Sequence, residues 1–236
     1  MALGEFLTAL GYLTGVLVLH FEARCRNLVT PGMRTVALTG LVAGVIGARL
    51  SEWLLGWTHL LVSQPGAFLD PRNGGKSLVG GLIFGWLGVE IAKRRLGITR
   101  STGDLWALAL PAGEAVGRLG CFFNSCCFGT SFHGPWSVWQ MGEWRHPTQL
   151  YSSLSAALIF GLLWKLKESL PREGDLFRLY LLLYGISRAM IEFYRQRDFV
   201  FANLSMVQLI CIETAIVAAI VLSLSFRNNR RLVPLP

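Results

Sequence analysis

The sequence predicts an all-α, polytopic membrane protein of about seven transmembrane helices, with its N-terminus outside and its C-terminus inside. Three observations predict it. Hydrophobic residues make up 53% of the 236 residues and charged residues only 15%, against roughly 25% charged in an ordinary soluble domain. The apolar residues gather in runs near the ~20 residues that a helix needs to cross a bilayer. Lys and Arg fall mainly between alternate runs, the pattern of cytoplasmic loops. Abundant aromatic and branched side chains exclude disorder. A soluble domain of this length is not expected, because so little charge does not coat its surface.

Seven runs can be marked, at approximately 4–22, 35–62, 77–93, 104–124, 148–165, 175–195 and 203–226. Glu5, with no basic residue before the first run, argues against a cleaved signal peptide. The second run is longer than a span needs, which implies tilt or an interfacial piece around Trp53 and Trp57. Pro147 suits the first turn of the fifth. Gly40/Gly44, Gly81/Gly85 and Gly113/Gly117 are each four apart, so each pair shares one helix face. Such a face is either a helix-packing groove or room for a lipid chain. With no repeat or linker, the chain reads as one transmembrane domain over 1–236, with an outer-side loop at about 130–147.

Orientation follows from the basic residues. Thirteen lie after the first, third and fifth runs and in the tail, and five on the opposite side. The thirteen are expected to be cytoplasmic. Arg49, Arg118, Arg178 and Arg188 lie inside the spans, as do Glu52, Glu90, Glu114, Glu192 and Glu213. A central Arg costs on the order of 2.5–3.5 kcal/mol on insertion scales. These groups must therefore face protein, water or a charged ligand.

Four segments can carry chemistry. In Gly117–Gly129, Arg118 stands four residues after Glu114, on the same face. This is either a structural ion pair or a phosphate anchor, for which a planar, bidentate guanidinium is suited. Arg188, Glu192 and Arg195 stand at i, i+4 and i+7 and form a polar stripe. The bland alternative is an interfacial basic helix end. Arg145-His146-Pro147-Thr148-Gln149-Leu150-Tyr151 opens the fifth run, and its His146 titrates near neutral pH. It serves as a base or as a hydrogen-bonded structural residue. Gly74-Gly75-Lys76-Ser77 lacks the first glycine of a nucleotide-binding loop, since that position is Asp70. Lys76 can still meet a phosphate, or stand as a solvated interfacial lysine.

The topology places all four segments on the outer side. An outer-leaflet polar site with cations implies an anionic headgroup, with Trp136, Trp139 and Trp144 in an interfacial belt or lid. The net charge of +8 does not indicate nucleic acid, because the basic residues lie between apolar runs rather than on one face. The five cysteines include no C-x-x-C pair, so no metal site is expected and most are read as small buried hydrophobes.

These residues resemble the prolipoprotein diacylglyceryl transferase family. The resemblance rests on Gly-Arg-x-Gly…Asn…Gly at 117–129, on His146-Pro-Thr-Gln-Leu-Tyr151 and on Arg188-x-x-x-Glu192-x-x-Arg195, and covers about 76–208. It implies a seven-helix protein of the bacterial inner (plasma) membrane, with the 130–147 loop on the periplasmic side. The implied reaction moves the diacylglyceryl group of phosphatidylglycerol to the cysteine thiol of a lipobox-containing preprolipoprotein and releases glycerol-1-phosphate. The implied partners are phosphatidylglycerol, that preprolipoprotein and the lipid bilayer, with no nucleic acid, cofactor or metal.

By motif, Arg118 and Arg188 correspond to the family's headgroup-binding arginines. Glu192 then orients Arg188 or moves a proton, and His146 is the candidate proton acceptor. Lys76, Gly80, Gly81, Asn124, Gly129, Gln149, Tyr151 and Arg195 are the expected substrate-binding residues. The sequence departs from the family at Val79, where a His precedes two glycines, and at Cys121 and Cys126, which replace an Asn and an acidic residue. Valine takes no proton, so a lipid binder without chemistry, or a different acceptor, stays open beside the enzyme. A transporter is a third reading.

Overall fold

The computed structural model describes residues 2–56, 78–170, 172–195 and 203–232. Among them are seven helices: α1 (Ala2–Cys25), α2 (Pro31–Gly56), α3 (Leu78–Arg95), α4 (Gly103–Phe123), α5 (Thr148–Leu166), α6 (Asp175–Glu192) and α7 (Met206–Leu232). Each matches one apolar run, because a helix satisfies its own backbone where no water can. Leu3–Cys25, Pro31–Ser51 and Met206–Arg227 are long and apolar enough to cross a membrane on their own. Large apolar side chains such as Phe6, Leu17, Leu158, Met190 and Ile220 are exposed on the outside of the helices. The protein is therefore a helical membrane protein.

Local chemistry sets the helix ends. α2 begins four residues before the apolar run because Thr30 Oγ1 accepts the Met33 N–H at 3.2 Å and Pro31 takes the first position. α6 stops at Glu192, and Phe193 and Tyr194 continue as a turn, with the Arg195 N–H on the Glu192 carbonyl at 3.1 Å. The 130–147 segment contains a feature that apolar periodicity does not signal. Strands β1 (Val138–Gln140) and β2 (Glu143–Arg145) pair antiparallel with Trp139 opposite Trp144. Met141 (φ 53°) and Gly142 (φ 84°) form a two-residue turn with both φ positive, as such hairpins require. Trp136, Trp139 and Trp144 are exposed.

The chain divides into two compact units, residues 27–100 and residues 1–26 with 101–236. In the first, α2 and α3 meet along small residues. A Cβ added at Gly81 would lie 3.2 Å from the Gly44 carbonyl oxygen, and one at Gly85 3.3 Å from that of Gly40. In the second, α1 crosses α4 equally closely: a Cβ at Gly11 would lie 2.7 Å from Gly117 Cα, and one at Gly113 2.9 Å from the Gly11 carbonyl oxygen. The glycine faces marked in the sequence are thus packing grooves filled by neighbouring helices, except that a Cβ added at Gly117 would meet nothing within 4 Å.

At one end of the second unit, buried carboxylates join the helices. Glu22 of α1 binds Arg26 and Lys167, both at 2.8 Å. Asp104 accepts the Gly174 and Phe177 N–H groups at 2.9 and 3.2 Å, and Asp175 accepts from Ser225 of α7 at 3.0 Å. The opposite end, where α4 and α6 finish and α5 begins, holds the polar groups of interest.

Candidate active site

Arg118 and Arg188 each meet a carboxylate one helical turn away, because helix geometry brings i and i+4 together. Arg118 Nε donates to Glu114 Oε1 at 3.0 Å. Arg188 Nη1 donates to Glu192 Oε2, and Arg195 Nη1 lies 3.9 Å from the same oxygen. Both helical pairs are largely withdrawn from solvent. Three guanidiniums against two carboxylates leave a formal charge of one positive.

Tyr184 of α6 lines the same small cavity as Glu114 of α4 and Arg188. Its Oη is buried and has no hydrogen-bond partner among the described residues. Beside it, Glu114, Ser152, Ser155, Tyr180, Ser187 and Arg188 border a cavity of about 10 Å³, room for roughly one water. Sequence reasoning missed Tyr184 and these serines. In the Leu-rich run 179–184 a tyrosine reads as core, and only the crossing of α4 with α5 and α6 reveals the polar lining.

His146 stacks on Phe132 with 3.9 Å between ring centroids, and Tyr194 tilts against it at 5.0 Å. Its Nδ1 lies 3.0 Å from the Tyr151 hydroxyl. Partial burial holds the imidazole below its usual pKa, because removing water disfavours the charged ring.

Gly129 joins three segments. Its N–H donates to the His146 carbonyl at 2.9 Å, and it forms a bridge with Arg195. A Cβ there would lie 2.5 Å from the Tyr194 carbonyl oxygen and 2.6 Å from His146 Cβ. Both neighbours are fixed in the hydrogen-bonded framework. Gly129→Ala should therefore destabilise the protein by about 1–3 kcal/mol, the usual cost of overpacking. A lowered thermal midpoint in detergent would show it, and an unchanged midpoint would refute the close approach.

Gln149 Nε2 donates to the Cys126 carbonyl at 2.8 Å and to Gln140 Oε1 at 3.1 Å, and Thr148 Oγ1 donates to the Cys127 carbonyl at 2.8 Å. These bonds fasten the 124–128 loop to α5. Gln149 Oε1 and Asn124 Oδ1 are buried without partners among the described residues, and the Asn124 side chain abuts Gly4. Gly80 and Gly81 belong to the other unit and face α2, at Ser51 and at Gly44 with Ala48. Lys76 and the Val79 side chain lie outside the described residues.

The cysteines depart from the expectation of small buried hydrophobes. Only Cys211 is buried; Cys121 is intermediate, and Cys25, Cys126 and Cys127 are exposed. The expectation failed because Cys126 and Cys127 follow the helix end rather than lie in its apolar run.

The fold and this centre define a helical membrane protein with a net-cationic site built from paired arginines. A family model described as prolipoprotein diacylglyceryl transferase matches residues 5–224. The chain belongs to that family. Among its relatives is the phosphatidylglycerol–prolipoprotein diacylglyceryl transferase of Finegoldia magna, 29% identical over 94% of this chain and 90% of the relative. Proteins of the same name from Clostridioides difficile (30%, covering 94% and 91%) and Wolbachia pipientis (31%, covering 94% and 92%) are similar to the same extent.

Proposed function

We propose that this protein transfers the diacylglyceryl group of phosphatidylglycerol to the cysteine thiol of a lipobox-containing preprolipoprotein. It acts as a single transmembrane domain of seven spans in the bacterial inner membrane, N-terminus outside, with the tryptophan hairpin on the periplasmic side. The observation that carries the reading is the set Arg118, Arg188 and Arg195 with Glu114 and Glu192, of net single positive charge, together with unpartnered buried oxygens. The family membership supports the same reading.

The thiol gives its proton to His146, and the thiolate attacks a glycerol carbon. The carbon–oxygen bond to phosphate breaks, its electron pair leaves with glycerol-1-phosphate, and a thioether forms. Charge grows on the phosphate oxygens, where Arg118 and Arg188 stabilise the transition state. Glu192 holds Arg188 toward the site, and Arg195 adds positive charge. Asn124 Oδ1 and Gln149 Oε1 accept from glycerol hydroxyls, which answers their lack of a donor in the fold. Tyr151 keeps His146 oriented, Gly129 docks the loop, and Gly80 and Gly81 set the spacing of the α2–α3 pair.

The deciding experiment incubates purified protein, phosphatidylglycerol and a lipobox peptide, and looks by mass spectrometry for the thioether-linked diacylglyceryl product. Phosphatidylglycerol binding without product would favour the second reading, a non-catalytic phospholipid binder. Val79 is the observation behind that reading, since no proton acceptor stands there. Activity gained only in Val79→His would identify a degenerate enzyme.

The depressed pKa of His146 sets the pH dependence. The proton-accepting form is the neutral ring, which dominates above the pKa. With that pKa below 6.5, transfer should be near its plateau at pH 7 and fall only on acidification below about pH 6.5. His146→Asn should lower the plateau by about 10²–10³-fold and remove this acid limb. A rate that keeps rising toward the ordinary thiol pKa would assign proton removal to solvent instead.

A further inference from the structure

Three sulfur atoms gather where α4 ends, in a way that residue spacing does not announce. The Ser125 N–H bonds the Phe122 carbonyl and the Cys126 N–H bonds the Cys121 carbonyl, both at 3.1 Å, while Ser125 takes φ 50°. This is a Schellman termination, with Ser125 where glycine is usual. It brings the residue two past the cap against the third from the helix end, here Cys126 against Cys121. Cys127, with φ 59°, adds its sulfur to the same point. The three Sγ atoms all lie within 4.8 Å of one another. Gln149 and Thr148 hold the carbonyls of Cys126 and Cys127, and these bonds set the shape of the loop.

We propose that Cys121, Cys126 and Cys127 form a binding site for a soft monovalent cation, Cu(I), held by three thiolates. Thiolate donors select soft d10 ions. Zinc takes four ligands, and among the described residues no His, Asp or Glu joins the three sulfurs. Binding forms three copper–sulfur bonds and releases the thiol protons to solvent. The guanidiniums of Arg195 and Arg118 lie within electrostatic reach of Cys127 and offset the charge of the thiolate cluster. Cys126 and Cys127 are exposed, which gives the ion a path in. The site shares these guanidiniums with the proposed phosphate site, but its test reads copper uptake rather than transfer, so the two readings fail separately.

The test uses the full-length protein in nanodiscs under anaerobic conditions, titrated with Cu(I) buffered by bicinchoninate. Wild type should withdraw one equivalent. Cys126→Ser/Cys127→Ser should withdraw none, while Cys25→Ser/Cys211→Ser should still withdraw one. Cys126→Ala alone, with elution volume and thermal midpoint checked, guards against a misfolded double variant and should also withdraw none. Copper-edge X-ray absorption should find sulfur neighbours only. No uptake by reduced wild type, equal uptake by the Cys126/Cys127 variant, or loss in the Cys25/Cys211 variant would overturn the site. Preference for Zn(II) with a nitrogen or oxygen ligand would overturn the assignment to a monovalent ion.

Discussion

Arg118→Ala is expected to lower the rate of diacylglyceryl transfer by about 10³-fold, the scale for removing a positioned donor from developing negative charge. Arg118 Nε is committed to Glu114, which leaves the two terminal nitrogens for bidentate contact with the phosphate. Arg118→Lys keeps the charge and loses the fork, so a loss of about 10–10²-fold is expected. A structural role has to be separated from this one, because Arg118→Ala strands the Glu114 carboxylate in a poorly hydrated place. Arg118→Ala/Glu114→Gln removes that stranded charge. It should regain thermal stability while transfer stays at the low level, measured as thioether product per minute. Recovery of activity in the double variant would reduce Arg118 to a counter-ion and sink its assignment to the phosphate.

The second large effect concerns the Arg188–Glu192 pair. Breaking a buried pair from one side typically costs about 3–5 kcal/mol, because the remaining ion is left desolvated. Glu192→Gln and Arg188→Leu should each lower the thermal midpoint markedly. Arg188→Leu/Glu192→Leu replaces both ions by apolar groups in a low-dielectric setting and should recover much of the stability. Transfer should not recover with it, since no guanidinium then meets the phosphate. A full return of activity in the double variant would make the pair a packing device. Glu192→Gln alone should slow transfer less than Arg188→Leu, because it leaves the Arg188 guanidinium in place to meet the phosphate.

The two pairs also show how far one dimension carries. Glu114/Arg118 and Arg188/Glu192 were legible because helical periodicity alone places i and i+4 together. Family motifs covered His146, Asn124 and Gln149, yet the sequence offered no view of their partners. Gln149 has its amide nitrogen committed to the Cys126 carbonyl, and His146 lies between Phe132 and Tyr194. Those contacts join segments far apart along the chain. Tyr184 escaped notice because an apolar run conceals one polar tip, and the hairpin because a two-residue turn leaves little compositional trace.

The sequence by itself determined the class of protein and its helices, because hydrophobic length is a local property and a membrane imposes one secondary structure on it. It also determined the glycine faces, since a missing Cβ permits close approach whichever helix arrives. Only the tertiary structure decided which helix fills each face, which buried oxygens lack donors, and that three cysteines without a metal-binding spacing share one point. Those outcomes depend on distances between segments remote in sequence. They are set by how helix ends are capped and crossed.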